Sequence, residues 1–209
     1  MTDHASSWLL PMDGQMLDLP ALFGAGVPVV LEIGFGMGEA TLAMAQQRPD
    51  SGILAIDVHT PGVGQLLAGI SDAGLTNVRV MHQDAVEVVH DMVAPDSLAG
   101  VRIFFPDPWP KARHHKRRLI QPPFVSLLCT RLQLGGFVHC ATDWSPYAEQ
   151  MLAVLSAEPG LTGTSASSRG IDEPAAERPH ARPLTRFERR GLARGHPVVD
   201  LVFTRTLDA

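Results

Sequence analysis

No apolar run in this 209-residue chain is long enough to cross a bilayer, and residues 1–10 lack the charged start and apolar stretch of a secretory signal. Cysteine is scarce. Cys129 and Cys140 give neither a disulfide framework nor zinc-ligand spacing, and each borders an apolar run, which predicts two buried structural thiols and no metal. These absences point to the cytoplasm, away from membranes. Net positive charge is missing too: 17 Lys and Arg stand against 22 Asp and Glu, a balance of −5 that by itself argues against a nucleic-acid partner. With 45% apolar and 19% charged residues, the chain has the make-up of one ordinary globular domain over residues 1–209, with 1–26 as a lead-in. Nothing in it chooses between monomer and homodimer.

The distribution of charge qualifies the total. Eleven of the 17 basic residues fall in two short segments, 111–118 and 178–194. The first contains no acid, and the second contains only Glu188. A local positive face can therefore exist on a negative protein.

Short apolar runs alternate with helix-like stretches, the pattern of a parallel sheet covered by helices. Strands are predicted at 27–33, 52–56, 78–82, 101–105, 137–141 and 198–204, and helices at 39–47, 59–73, 85–93, 122–132 and 147–155. Residues 163–183, rich in Ser, Gly, Ala, Pro and charge with little to bury, read as a mobile loop.

The strongest local signal is Leu31-Glu32-Ile33-Gly34-Phe35-Gly36-Met37-Gly38, where a strand ends, three alternate glycines follow and a helix begins. Such a loop turns sharply and lets a ligand approach the main chain. A dinucleotide site would want a third glycine where Glu39 stands, and a carboxylate there repels a pyrophosphate. S-adenosylmethionine carries no phosphate, and its sulfonium and amino groups tolerate nearby acids, so the mismatch favours it. Asp57, ending the second strand, is placed to take both ribose hydroxyls, and Asp84, just past the third, to accept from an adenine amino group. Glu32 would lie near the methionine end.

At the end of the fourth strand stands Phe104-Phe105-Pro106-Asp107-Pro108-Trp109-Pro110-Lys111, in which two prolines hold the Asp107 carboxylate in place. The basic run 111–118 continues from it as a phosphate-binding surface. Trp109 is placed either to stack on a splayed base or to pack inside. Ala141-Thr142-Asp143-Trp144 closes the fifth strand on the same sheet edge, and Thr185-Arg186-Phe187-Glu188 joins the second basic segment to the last strand. A small-molecule methyltransferase would share the cofactor half but not the basic run. A non-catalytic RNA-binding module would not need the strand-end acids.

Residues 30–155 and 182–205, through these motifs, resemble the bacterial tRNA (guanine-N7)-methyltransferase family. The resemblance implies a doubly wound, mostly parallel seven-stranded α/β sheet of the Rossmann-like class I methyltransferase type, with helices on both faces. It implies methyl transfer from S-adenosylmethionine to N7 of guanine 46 in the tRNA variable loop. Glu32, Asp57 and Asp84, with Gly34, Gly36 and Gly38, are then cofactor ligands, and Asp107 is catalytic as well as near the cofactor. Lys111, Asp143 and Thr185, Arg186, Phe187 and Glu188 are implied substrate contacts. Arg113, His114, His115, Lys116, Arg117 and Arg118 are the implied RNA segment. Family members often carry a basic N-terminal extension, whereas residues 1–26 here hold no Lys or Arg.

Overall fold

A computed structural model of the chain describes residues 8–169 and 179–206. In chain order the elements are α1 (Leu19–Phe23), β1 (Val29–Ile33), α2 (Glu39–Gln47), β2 (Gly52–Asp57), α3 (Thr60–Ala73), β3 (Val78–His82), α4 (Ala85–Asp91) and β4 (Leu98–Phe104). There follow a 3-10 helix (Ala112–Arg117), α5 (Pro122–Arg131), β5 (Leu132–Thr142), α6 (Ser145–Ala157), β6 (Leu161–Arg169), α7 (Arg186–Leu192) and β7 (Val198–Arg205).

The seven strands form one sheet in the order β3-β2-β1-β4-β5-β7-β6, in which β7 alone runs against the others. Five parallel strands, β1 to β5, therefore deliver their carboxyl ends to a single edge. The order reverses between β1 and β4, and a crevice opens at such a reversal. Because β1 and β2 lie inside the sheet, their residues are buried on both faces and, Glu32 and the terminal Asp57 apart, apolar throughout rather than alternating.

One face packs Leu31, Leu54, Val101, Ile103 and Val138 under α4, α5 and α6; the other packs Phe35, Ala55 and Val80 against α2 and α3, with Leu66 of α3 in the same cluster. Leu31 is fully buried, so Leu31→Ala costs about 2–5 kcal/mol through lost transfer energy and a residual cavity. Cys129 and Cys140 are buried, and burial pushes the Cys140 thiol up to about 12.

One expectation is overturned. The stretch from 163 onward is not loop: Leu161–Arg169 is an edge strand paired antiparallel with β7, and Pro179–Ala181 is a 3-10 turn. An edge strand needs its backbone donors and acceptors more than an apolar face, so a Thr- and Ser-rich run suffices. The rest of that predicted loop, 170–178, lies outside the described residues. Three helical segments, α1, the 3-10 helix Ala112–Arg117 and α7, also lie where no helix is predicted; the other differences are of boundary. β5 starts five residues earlier than its apolar run, across an irregular stretch in which Gly135 takes a φ of 78°.

Candidate active site

Residues 34–38 leave β1 at the crevice. Gly34, Gly36 and Gly38 all have positive φ (78°, 57° and 78°), a conformation that side-chain-bearing residues resist. The Gly34 N–H donates to Ile56 O at 2.8 Å, tying the loop to β2. Asp57 completes the tie: its Oδ2 accepts from Gly36 N at 2.7 Å and its Oδ1 from His59 N at 2.9 Å. One lone pair on each oxygen remains for a ligand. Gly62, in the first turn of α3, is a residue the sequence did not single out. A Cβ there would sit 1.8 Å from Gly36 O, so only glycine lets α3 close against the loop.

Asp84 caps α4, its Oδ1 accepting from Val86 N at 2.8 Å, and is otherwise exposed at the crevice rim. Val58 and Val86, next to the two strand-end acids, are exposed apolar side chains at the same rim. Glu32 points into the sheet. It is 2% exposed, lies opposite Arg102 in register, and its Oε2 has no hydrogen-bond partner. Burial pushes its carboxyl up to about 7, against the pull of Arg102 and Thr41. A buried, unpartnered carboxylate oxygen beside a glycine cradle fits a ligand carrying a cationic amino group, so these residues suit S-adenosylmethionine.

Glu39, the residue that spoils a dinucleotide fingerprint, has a different task. Its Oε2 accepts from Arg186 N at 3.0 Å, docking the start of α7 on the cofactor loop. From there α7 runs to the ends of β4 and β5. Phe187 lies edge-on to Phe105 with ring centroids 5.2 Å apart, and a Cβ on Gly191 would lie 3.3 Å from Asp143 Oδ2. Asp143 therefore emerges under α7, beside the β4 exit. The exit itself is bent: Phe105 and Trp109 have φ of 52° and 43°, unfavourable for aromatic residues, and Asp107 between them is exposed. Thr185 caps α7, its Oγ1 accepting from Glu188 N at 3.2 Å.

The basic run divides. Lys111, Arg113, Lys116 and Arg117 are exposed, and His114 and His115 are half-buried. Trp109 is half-buried against the same run: Arg117 Cζ stands 5.1 Å from its ring centroid and His114 meets it edge-on. Arg118, grouped by sequence with the RNA-facing residues, is 3% exposed and donates to Pro108 O at 2.8 Å and Gln150 Oε1 at 2.5 Å. Glu188 is also turned inward, with both carboxylate oxygens on the Arg182 guanidinium at 2.6 and 2.9 Å. On the outer face of α7, Arg186, Arg189 and Arg190 are exposed.

A buried polar row missing from the sequence reading crosses the sheet behind these residues. Arg102 sits between Glu32 on β1 and His139 on β5, and His139 Nε2 donates to Asp200 Oδ1 at 2.7 Å. Burial keeps His139 below the usual histidine range despite Asp200, while hydrogen bonds from His139 and Arg182 outweigh burial and bring Asp200 down to about 2. The signal was present as one polar residue in each of three apolar strands. Among the described residues no group of His, Cys, Asp and Glu could hold a metal ion, and no helix is long and apolar enough to cross a membrane.

Comparison with known proteins agrees with this geometry. A protein-family model described as "Putative methyltransferase" matches residues 27–201. The chain is 59% identical over 198 residues to a tRNA (guanine-N(7)-)-methyltransferase of Streptomyces avermitilis, covering 95% of this chain and 67% of that one. It is 55% identical over 208 residues to the enzyme of the same name from Burkholderia cenocepacia, covering 100% of this chain and 79% of that one. Among solved structures, the 16S rRNA methyltransferase KamB superposes with a TM-score of 0.67 at 18% identity, over 92% of this chain and 95% of that one. An rRNA methylase from Streptococcus thermophilus gives 0.56 at 14% identity, over 86% and 87% of the two chains. These two share the fold, a class I methyltransferase sheet. With strand-end acids, a glycine cradle and sequence identity above one half all in agreement, this chain is an enzyme of the tRNA (guanine-N(7)-)-methyltransferase family.

Proposed function

We propose that the chain uses S-adenosylmethionine to methylate N7 of guanine 46 in the variable loop of tRNA, in the cytoplasm and without a metal. The observation that carries this reading is that Glu32, Asp57, Asp84, Asp107 and Asp143 stand near or just past the carboxyl ends of five neighbouring parallel strands, with an exposed basic segment following Asp107 in the chain.

S-adenosylmethionine, when bound, supplies an electrophilic methyl group on a cationic sulfur. Glu32 Oε2 takes the amino group, the pinned Asp57 carboxylate takes the vicinal ribose hydroxyls, and Asp84 accepts from the adenine amino group. Val58 and Val86 flank the purine. Guanine N7 has a free lone pair and no proton to lose, so no general base is needed. What the acceptor side must do is align N7, and alignment of this kind can supply about 7–11 kcal/mol of a barrier. Asp107 accepts from the guanine N1–H or amino group and stabilises the positive charge that develops on the ring. Asp143 shares that recognition. Phe187 covers the base, while Thr185 and Glu188 fix the turn that carries it. Lys111 serves a phosphate or the O6 edge, and Arg113, Lys116 and Arg117, with Arg186, Arg189 and Arg190 across the crevice, hold backbone phosphates.

Unmodified tRNA incubated with methyl-labelled S-adenosylmethionine and then mapped by nucleotide should carry one N7-methylguanine, at position 46. The same tRNA with adenine at 46 should take up no label. Label at another nucleotide, or undiminished label in the adenine variant, would contradict the assignment.

A further inference from the structure

Two buried arginines converge on the β4 exit from the two faces of the sheet. On the α6 face, Arg118 donates through Nε to Pro108 O, is braced by Gln150, and lies with Cζ 4.8 Å from the Tyr147 ring centroid. On the other face, Arg182 is 1% exposed and stands with Cζ 5.5 Å from the ring centroids of both Phe104 and Phe105. Its fork is used twice over. Nε and Nη2 donate to the two Asp200 oxygens at 2.8 and 2.9 Å, and Nη1 and Nη2 to the two Glu188 oxygens at 2.6 and 2.9 Å. In the chain between the residues these two guanidiniums contact stand Pro106 and the exposed Asp107, just after Phe105, which is held at φ 52°.

A buried charged network adds little net stability compared with an apolar replacement, and in some proteins it is the geometry of the fold that it specifies. Here the geometry specified is that of an unfavourable backbone turn. The Phe105 N–H is spent on Ala141 O at 2.7 Å, and its ring is wedged between Arg182 and Phe187. Pro108, which has no N–H of its own, is held by its carbonyl. Arg182 also binds α7 through Glu188, so the segment carrying Asp107 and the segment carrying Phe187 share one anchor.

We propose that Arg118 and Arg182 are positioning residues that clamp residues 104–110 from opposite faces and so set where the Asp107 carboxylate stands. Arg118 is then not a phosphate ligand, although it ends a run of basic residues that are. The inference deepens the reading above and rests on it for its kinetic part.

The test compares Arg118→Met, Arg182→Met and Arg182→Lys with the parent and with the exposed-site variant Arg113→Ala/Arg117→Ala. In the clamp variants kcat should fall roughly 10²-fold, the cost of a displacement of about 1 Å, with S-adenosylmethionine affinity and the salt dependence of tRNA binding unchanged. In the exposed-site variant the slope of log Kd against log salt should shrink by about one to two, a change the clamp variants should not show. Arg182→Lys keeps the charge but cannot fork to two carboxylates, so it should recover less than about a tenth of the parent kcat; it carries the test if Arg182→Met fails to fold. Amide exchange should rise in 104–111 and 185–192 but not in 32–41. An Arg118→Met enzyme with normal kcat and a reduced salt slope would overturn the inference, as would an Arg182→Lys enzyme with parental kcat and parental exchange. A parent that methylates no tRNA would sink the functional reading alone, leaving the clamps to stand or fall on exchange.

Discussion

The two halves of the crevice are built by different means. On the β1–β3 side, ligand-facing groups are held by their own neighbours in the chain or by backbone. Asp57 is fixed by the N–H groups of Gly36 and His59, Asp84 by that of Val86, and the loop by glycine conformations. On the β4–β5–β7 side, the Asp107 and Phe187 segments are held by side chains arriving from elsewhere: Arg118, Arg182, Glu188 and Asp200. The first half suits a small ligand of constant shape. Under the proposed function the second places one base of a large nucleic acid, and a set of side-chain anchors can hold several loops in mutual register. If the halves are separable in this way, substitutions should sort cleanly into those that cost cofactor affinity and those that cost turnover.

Asp57→Ala should break the comparison hardest. It removes the ligand for the ribose and frees two backbone N–H groups of the loop, so S-adenosylmethionine affinity should fall by roughly 10²-fold, each charge-assisted hydrogen bond being worth about 1.5–3 kcal/mol. Calorimetric titration checks it; a loss of kcat at unchanged affinity would place Asp57 in the wrong half.

Glu32→Gln sharpens the same side through pH. The folded-state value of Glu32 is raised, to about 7, so its contribution to stability is intact below its ordinary range near 4.5 and is lost as pH rises through about 7. The loss amounts to about 3 kcal/mol. Denaturant unfolding of Glu32→Gln should lack that slope and show higher stability than the parent at pH 8. Its cofactor affinity should be lower by about tenfold and independent of pH between 5 and 8, where the parent's rises as Glu32 ionises. Identical pH profiles for the two proteins would remove Glu32 from contact with the cofactor's amino group.

Replacing Arg113, Lys116 and Arg117 together with Ala should raise the Kd for tRNA roughly tenfold at moderate salt and flatten its salt dependence by up to about three, leaving cofactor affinity alone. An unchanged slope would make that segment a solvated face. Phe187→Ala is the mildest. With 60% of the residue exposed, little packing is lost, and kcat/KM for tRNA should fall by about five- to tenfold, the value of about 1–1.5 kcal/mol for one aromatic contact.

Legibility in the sequence follows the same division. The α/β alternation, the glycine cradle and the acids at 57, 84, 107 and 143 were readable because each is local: a run ends and the functional residue follows within a few positions. Strand β6 was missed because an edge strand can be Thr- and Ser-rich, and the whole of 170–197 separates it from its partner β7. The side-chain anchors were missed because charge in a sequence has no direction. Arg118 reads like its neighbour Arg117, yet one faces Pro108 and the other solvent. Likewise Arg102, His139 and Asp200 look like isolated polar residues in apolar strands until the register of β1, β4 and β5 sets Arg102 beside Glu32 and His139, and a diagonal hydrogen bond joins His139 to Asp200, 61 residues away. Gly62 gave no signal distinct from any other glycine in a helix.

The claim beneath all of this is that Asp107 acts on the acceptor base and not by holding the donor. Single-turnover methylation of saturating tRNA by Asp107→Ala, measured beside its S-adenosylmethionine affinity, addresses that claim most directly. The account predicts a rate lower by about 10²–10³-fold with affinity changed by less than about threefold. A rate near that of the parent, or a rate loss matched by an equal loss of affinity, would contradict it.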